Sequence, residues 1–240
     1  VSLLRPIDLS AAGMTLAGAL ASGAAFHGTT PSQVRRKPKN WRPHSDAPDL
    51  ADLTDYPDLI PLFEQGGLIN SLERRLNELT ANDCAVFLSK NGIGMIDSDG
   101  MVYLGAGALR NFRNDSSTIA GIMAHEWGHA LMGHCRVGDL NWTADQWFFW
   151  LRKSEAEADS QAGRLLCLLG DQPDGLVKLL LSGVEPDDGY VPDLTRYPRP
   201  DLRAQIVLES FRRQYNAQNR LRHLSLAGGV YAVPERYRLL

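Results

Sequence analysis

Cysteine is scarce. Cys84, Cys135 and Cys167 are the only three in 240 residues; they are odd in number, widely spaced and contain no C-x-x-C pair. A disulfide framework is therefore excluded as the device that holds the fold, and this usage leans towards a reducing, cytoplasmic compartment over a periplasmic or secreted one. Long apolar runs are missing as well. No stretch reaches the roughly 18 consecutive apolar residues of a membrane-spanning helix, so no transmembrane segment is expected. Neither sign of charge is in large excess: the formal net charge is −3, which argues against nucleic acid as a partner. There is no internal repeat. What remains is a 44% hydrophobic, 22% charged chain, ordinary for one globular domain with an appendage or for two small domains.

The N-terminal 54 residues read as an appendage, and the body domain is expected over 55–240. Residues 9–26 are rich in Ala and Gly and resemble the apolar part of a secretory signal. Asp8 precedes them and three glycines interrupt them, which favours a short helix packed on the body over a retained targeting segment. Residues 28–49 are polar, with Pro31, Pro38 and Pro43, and read as an extended arm. Arg35, Arg36, Lys37, Lys39 and Arg42 cluster there. No helix would present them together, so a solvated arm is favoured over an anion contact; Asp46, Asp49, Asp52, Asp55 and Asp58 can answer them in cis.

In the body, Leu68, Ile69, Leu72, Leu76 and Leu79 recur at helical spacing and predict an amphipathic helix over Gly67–Thr80. Cys84–Leu88 is a strand candidate. Asn91-Gly92 reads as a tight turn, and Ile93–Ile96 and Met101–Leu104 as two more strands with a hairpin turn at Asp99-Gly100. The fold class is thus α+β, mostly helical, with a small sheet beside the helix described next. An exposed edge of that sheet would suit an extended peptide added as a strand.

Ser116–His134 contains His125-Glu126-Trp127-Gly128-His129, an H-E-x-x-H pattern. Residues four apart share a helix face, so His125 and His129 can aim ring nitrogens at one zinc ion, with Glu126 on the flank where a water to be activated would sit. Ser116, Ser117 and Thr118 offer an N-cap with Asp115 beside them. Catalytic zinc usually takes three protein ligands. Glu155 and Asp159, again four apart, supply the rest from a second helix: Glu155 as third ligand, Asp159 as a hydrogen-bond partner that orients a ligand His. Glu157 points elsewhere and reads as a solvated charge.

At about 100° per residue, His134 lies roughly 180° round the helix from His125 and about 140° from His129. That favours a C-terminal His interacting with the helix dipole over a ligand. Cys135 reads as a small buried thiol, with a fourth ligand as the lesser option. Trp142, Trp147, Phe148, Phe149 and Trp150 fall between the two metal-binding segments. Pocket wall and plain core are evenly matched for them; membrane contact is minor, since no basic face accompanies them. Ala156–Leu169 continues the second helix to Gly170. Pro173 opens a third helix through Leu181, Gly183–Pro200 forms a loop, and a last helix runs to about Asn216. Residues 227–233 suggest a terminal strand or arm.

From about residue 101 to 208 the chain resembles the HtpX/BepA-type zinc metallopeptidases, gluzincins related to the CAAX prenyl proteases. The resemblance rests on MVYLGAGAL, on A-H-E-W-G-H with His134 five residues after His129, on E-A-E-A-D-S-Q-A-G, and on Y-P-R-P-D-L-R. It implies a zincin-like (minigluzincin) domain over 55–240 and one Zn2+ held by His125, His129 and Glu155. The family's late stretch carries His-Pro and then Arg; Tyr197-Pro198 and Arg203 stand there in this chain. Arg203 is thereby implied to stabilise the transition state, and Tyr197, in place of the His, could donate to an oxyanion. An ion pair of Arg203 with Asp201 or Glu209 is the competing reading. The implied activity is zinc-dependent hydrolysis of peptide bonds in a polypeptide substrate, with Glu126 as general base. H-E-x-x-H with E-x-E-A also resembles the ImmA/IrrE-type regulators, which act on or bind one regulatory partner. No helix-turn-helix is evident here, and A-D follows the Glu where those proteins have A-N.

Overall fold

A computed structural model describes residues 49–136, 143–182 and 199–226, with side chains of the last helix as far as Leu221. In chain order these residues form α1 (Ile60–Phe63), α2 (Leu68–Thr80), β1 (Ala85–Ser89), β2 (Gly94–Ile96), β3 (Met101–Gly105), α3 (Ala106–Phe112), α4 (Ser116–Met132), α5 (Ala144–Leu169), α6 (Asp174–Ser182) and α7 (Pro200–Leu226). The fold is α+β, mostly helical, with one three-stranded mixed sheet. The Ala/Gly-rich stretch, the basic arm, Trp142, most of the Gly183–Pro200 loop and residues 227–233 lie outside the described residues.

The turn signal at Asn91-Gly92 does not join β1 and β2 into a hairpin. β1 pairs in parallel with β3, β2 pairs antiparallel with β3, and the order is β1-β3-β2. Burial explains the order. Val102, Tyr103 and Leu104 of β3 are all but inaccessible, whereas every residue of β2 is only partly buried. The strand apolar on both faces takes the centre and the other takes the edge. The turn at Asp99-Gly100 is a hairpin, with Asp97 accepting from the Asp99 and Met101 amides at 2.9 Å each.

Residues 49–51 already lie along the outer side of β1. The Ala51 amide donates to Leu88 at 3.0 Å and the Lys90 amide to Asp49 at 2.8 Å. Among the described residues, no strand pairs with the outer side of β2.

The helix with H-E-x-x-H is the most enclosed of the set. Thr118 through Ala124 are buried at every position, as befits a helix surrounded by others rather than lying on a surface. Its N-cap is Asp115 itself, whose Oδ1 accepts from the Thr118 amide at 3.1 Å; the neighbouring serines do not cap it. Trp127, fully buried, donates from Nε1 to Asn77 Oδ1 at 3.0 Å. Asn77 also holds both backbone groups of Cys84, at 3.1 and 2.7 Å. This network ties the rotation of α4 to α2 and the start of β1.

α5 is one continuous helix from Ala144, opened by a capping box between Thr143 and Gln146. The aromatic residues 147–150 are therefore its second turn, not a segment between two helices. Trp147 and Phe149 are exposed, so pure core packing does not describe them. α7 runs ten residues past Asn216, to Leu226. It packs along α5, with Ser210 donating to the Ser160 carbonyl at 2.6 Å. None of the described helices is long and apolar enough to cross a membrane.

Candidate metal centre

Gly128 sets the spacing of the site. A Cβ there would stand 2.6 Å from the Ala158 carbonyl oxygen and 3.0 Å from its Cα, so α4 and α5 touch backbone to backbone at this level. Glu155 and Asp159 flank Ala158 on the same helix and come within reach of His125 and His129.

His125 Nε2 and His129 Nε2 are 3.1 Å apart. Glu155 faces both rings, with Oε2 3.4 Å from His125 Nε2 and Oε1 3.5 Å from His129 Nε2. These three residues form a group able to hold a metal ion. A tetrahedral ion with bonds of about 2.0–2.1 Å keeps its donors about 3.3 Å apart, so the triangle has the right size without rearrangement. Two imidazole nitrogens facing each other also need something positive between them, a proton or a cation. Cys135 is not part of this group; burial pushes its thiol up to about 12, as for an inert buried Cys.

The side of each imidazole away from the triangle is held differently. His125 Nδ1 lies 3.0 Å from Asp159 Oδ1, although the N–H direction is poorly aligned for a hydrogen bond. The contact is a close charge pairing. Asp159, completely buried, also receives Arg203 through Nε at 2.7 Å and Nη2 at 3.0 Å. The same Nη2 is 2.9 Å from Glu155 Oε2. Arg203 thus joins Asp159 to the candidate ligand Glu155, and neither Asp201 nor Glu209 pairs with it; those two take Arg199 and Arg213.

His129 Nδ1 is 3.0 Å from His134 Nδ1, and His134 Nε2 is 3.0 Å from Glu157 Oε2. Both partners correct the sequence reading. The angular argument for His134 assumed a continuous helix, but α4 stops at Gly133, which is left-handed at φ 71°. A short 3-10 turn, His134–Arg136, then folds the ring back onto His129. Glu157 is no freely solvated charge, being bound to His134 and 3.7 Å from Lys153. The sequence signal for His134 was Gly133, a helix stop directly before a His.

The charges of the site follow from this packing. Burial alone would depress the His125 imidazole, but the Asp159 and Glu155 carboxylates overcome it and lift it to about 10. His129, buried and beside that cation, falls to about 3. Burial opposes ionisation of Glu155 and Asp159, yet His125 and Arg203 hold both well below the usual carboxylate range. Glu126 is buried without such a close partner among the described residues, and desolvation raises it to about 7. Its carboxylate lies against the edge strand: a Cβ on Gly94 would stand 2.7 Å from Glu126 Oε1. Arg203 is also nearby and lowers Glu126 in part.

Of the residues singled out from sequence, His125, Glu126, His129, Glu155, Asp159 and Arg203 come together here, while Tyr197 lies outside the described residues. Comparison of the chain with protein-family models, with curated proteins and with solved structures finds no match.

Proposed function

We propose that this chain is a zinc-dependent metallopeptidase that hydrolyses peptide bonds in polypeptide substrates. The observation that carries the reading is the convergence of Glu155 on both imidazoles of H-E-x-x-H, at 3.4 and 3.5 Å, with the Glu126 carboxylate buried alongside. His125, His129 and Glu155 would hold the ion; when bound, zinc makes water acidic enough to attack near neutral pH and polarises a carbonyl.

Glu126 takes the proton of the attacking water and passes it to the leaving amine. Its burial favours this, since a carboxylate raised towards neutrality is a stronger base than one in water. Arg203 adds positive charge where the oxyanion develops, though its Nε and Nη2 are already engaged by Asp159 and Glu155. Tyr197 is retained as a second donor to that oxygen on the strength of the family resemblance alone.

The substrate would lie along β2. Met95 exchanges its backbone bonds with Tyr103 in the register of this antiparallel pair, so the N–H and C=O groups of Gly94 and Ile96 point to the outer side. An extended peptide adding there would pass beside Glu126.

Glu126→Gln tests the reading. The variant should bind zinc as tightly as the parent and lose cleavage of an unfolded protein such as casein. Retained turnover removes Glu126 as the base. A zinc-loaded parent that cleaves no unfolded protein, but binds a single partner tightly, points instead to the regulator class.

A further inference from the structure

The support behind His129 has its own logic, which rests on the metal triad proposed above. We propose that Glu157 and His134 form a positioning relay that keeps His129 in the tautomer able to bind a metal ion. His129 Nε2 faces the triangle, so a neutral His129 that ligates there must carry its hydrogen on Nδ1. The atom 3.0 Å from that Nδ1 is His134 Nδ1, which must then be an acceptor. A neutral His134 with a bare Nδ1 carries its hydrogen on Nε2, and that nitrogen is 3.0 Å from Glu157 Oε2. A carboxylate only accepts. Glu157 therefore selects the tautomer of His134, and His134 selects that of His129.

The opposite arrangement is blocked at both ends. With its hydrogen on Nδ1, His134 would turn a bare Nε2 towards Glu157, lone pair against negative charge. It would also push the hydrogen of His129 onto Nε2, where it occupies the ligand position. The geometry is held by packing as well: His134 is buried, at 9% exposure, and stands edge-on to Trp150 with ring centroids 6.1 Å apart. His129 and His134 meet edge to face at 5.1 Å.

Zinc affinity, measured by competition against a chelator, tests this with the full chain, Glu157→Ala, His134→Phe and the double variant. Each single change should weaken zinc binding about 10–100-fold. The double variant should bind no worse than His134→Phe, because Glu157 acts only through that ring. Nitrogen-15 spectra of the zinc-loaded parent should show the His134 hydrogen on Nε2 and the His129 hydrogen on Nδ1. Unchanged affinity in Glu157→Ala, additive losses in the double variant, or the reverse tautomers each overturn the relay. If His134→Phe does not fold, Glu157→Ala decides, since that side chain is 31% exposed. A parent that binds no zinc removes the metal centre and the relay together; a parent that binds it while Glu157→Ala matches it removes the relay alone.

Discussion

The two candidate ligand imidazoles face each other, but they are secured from behind by contrasting means. His125 leans on Asp159, a carboxylate with no exposure, itself gripped by the nearly buried Arg203 of α7. His129 leans on a second imidazole, and the charge behind that ring, Glu157, is partly in water. The first support joins three helices and removes two opposite charges from solvent. It stands only because the Arg203 fork meets Asp159 with two hydrogen bonds. The second is local to the end of α4 and one turn of α5, and needs little desolvation. A site can thus combine one support that is costly to lose with another that mainly selects a proton position.

The contrast breaks most visibly at Arg203. Arg203→Met leaves Asp159 and Glu155 without their guanidinium and should cost the metal-free protein about 3–5 kcal/mol. Glu157→Ala, on the other side, should cost less than about 1 kcal/mol. Urea unfolding of both variants compares them directly, and equal losses would erase the distinction. Gly94→Ala tests the base while leaving both supports alone. The new methyl meets Glu126 Oε1 and Ile122, and a displacement near 1 Å should lower turnover about 100-fold with zinc affinity intact; loss of zinc instead would show that β2 also braces the ligands. Gly128→Ala acts on both supports at once by forcing α4 from α5, with an expected loss of about 1–3 kcal/mol in thermal or urea unfolding and weaker zinc binding.

A further effect is on pH. Metal binding must displace the proton that Asp159 and Glu155 keep on His125, raised to about 10. Zinc affinity should therefore rise about tenfold per pH unit between pH 7 and 9. The same raised value stabilises the metal-free fold below the unfolded value of about 6.5, and that contribution is lost as pH rises through 10. Metal-free stability and zinc affinity should run in opposite directions over this window. In Asp159→Asn the affinity slope should flatten, and a slope unchanged in that variant would place the proton elsewhere.

Local periodicity made much of the molecule legible. The apolar spacing of Leu68–Leu79 located α2, and two four-residue spacings, His125/His129 and Glu155/Asp159, located the residues that converge. Both are properties of a single helix. Strand order was not legible, because Asn91-Gly92 is a good turn anywhere and only the burial of β3 decides which strand lies centrally. The relay was missed because φ at Gly133 resets the angular count that had placed His134 on the far side of the helix. The partners of Arg203 depend on how α7 lies on α5, which no spacing within either helix encodes.

The absence of a side chain at Gly128 has one more effect. With α4 and α5 in backbone contact there, the jaw formed by the two imidazoles and Glu155 has a fixed gape. A large hard cation such as Ca2+, which takes six to eight oxygen donors at about 2.3–2.6 Å, would have to spread helices that have no slack to give. For the proposed metal centre, the spacing of two backbones would thereby act as a size filter for the ion.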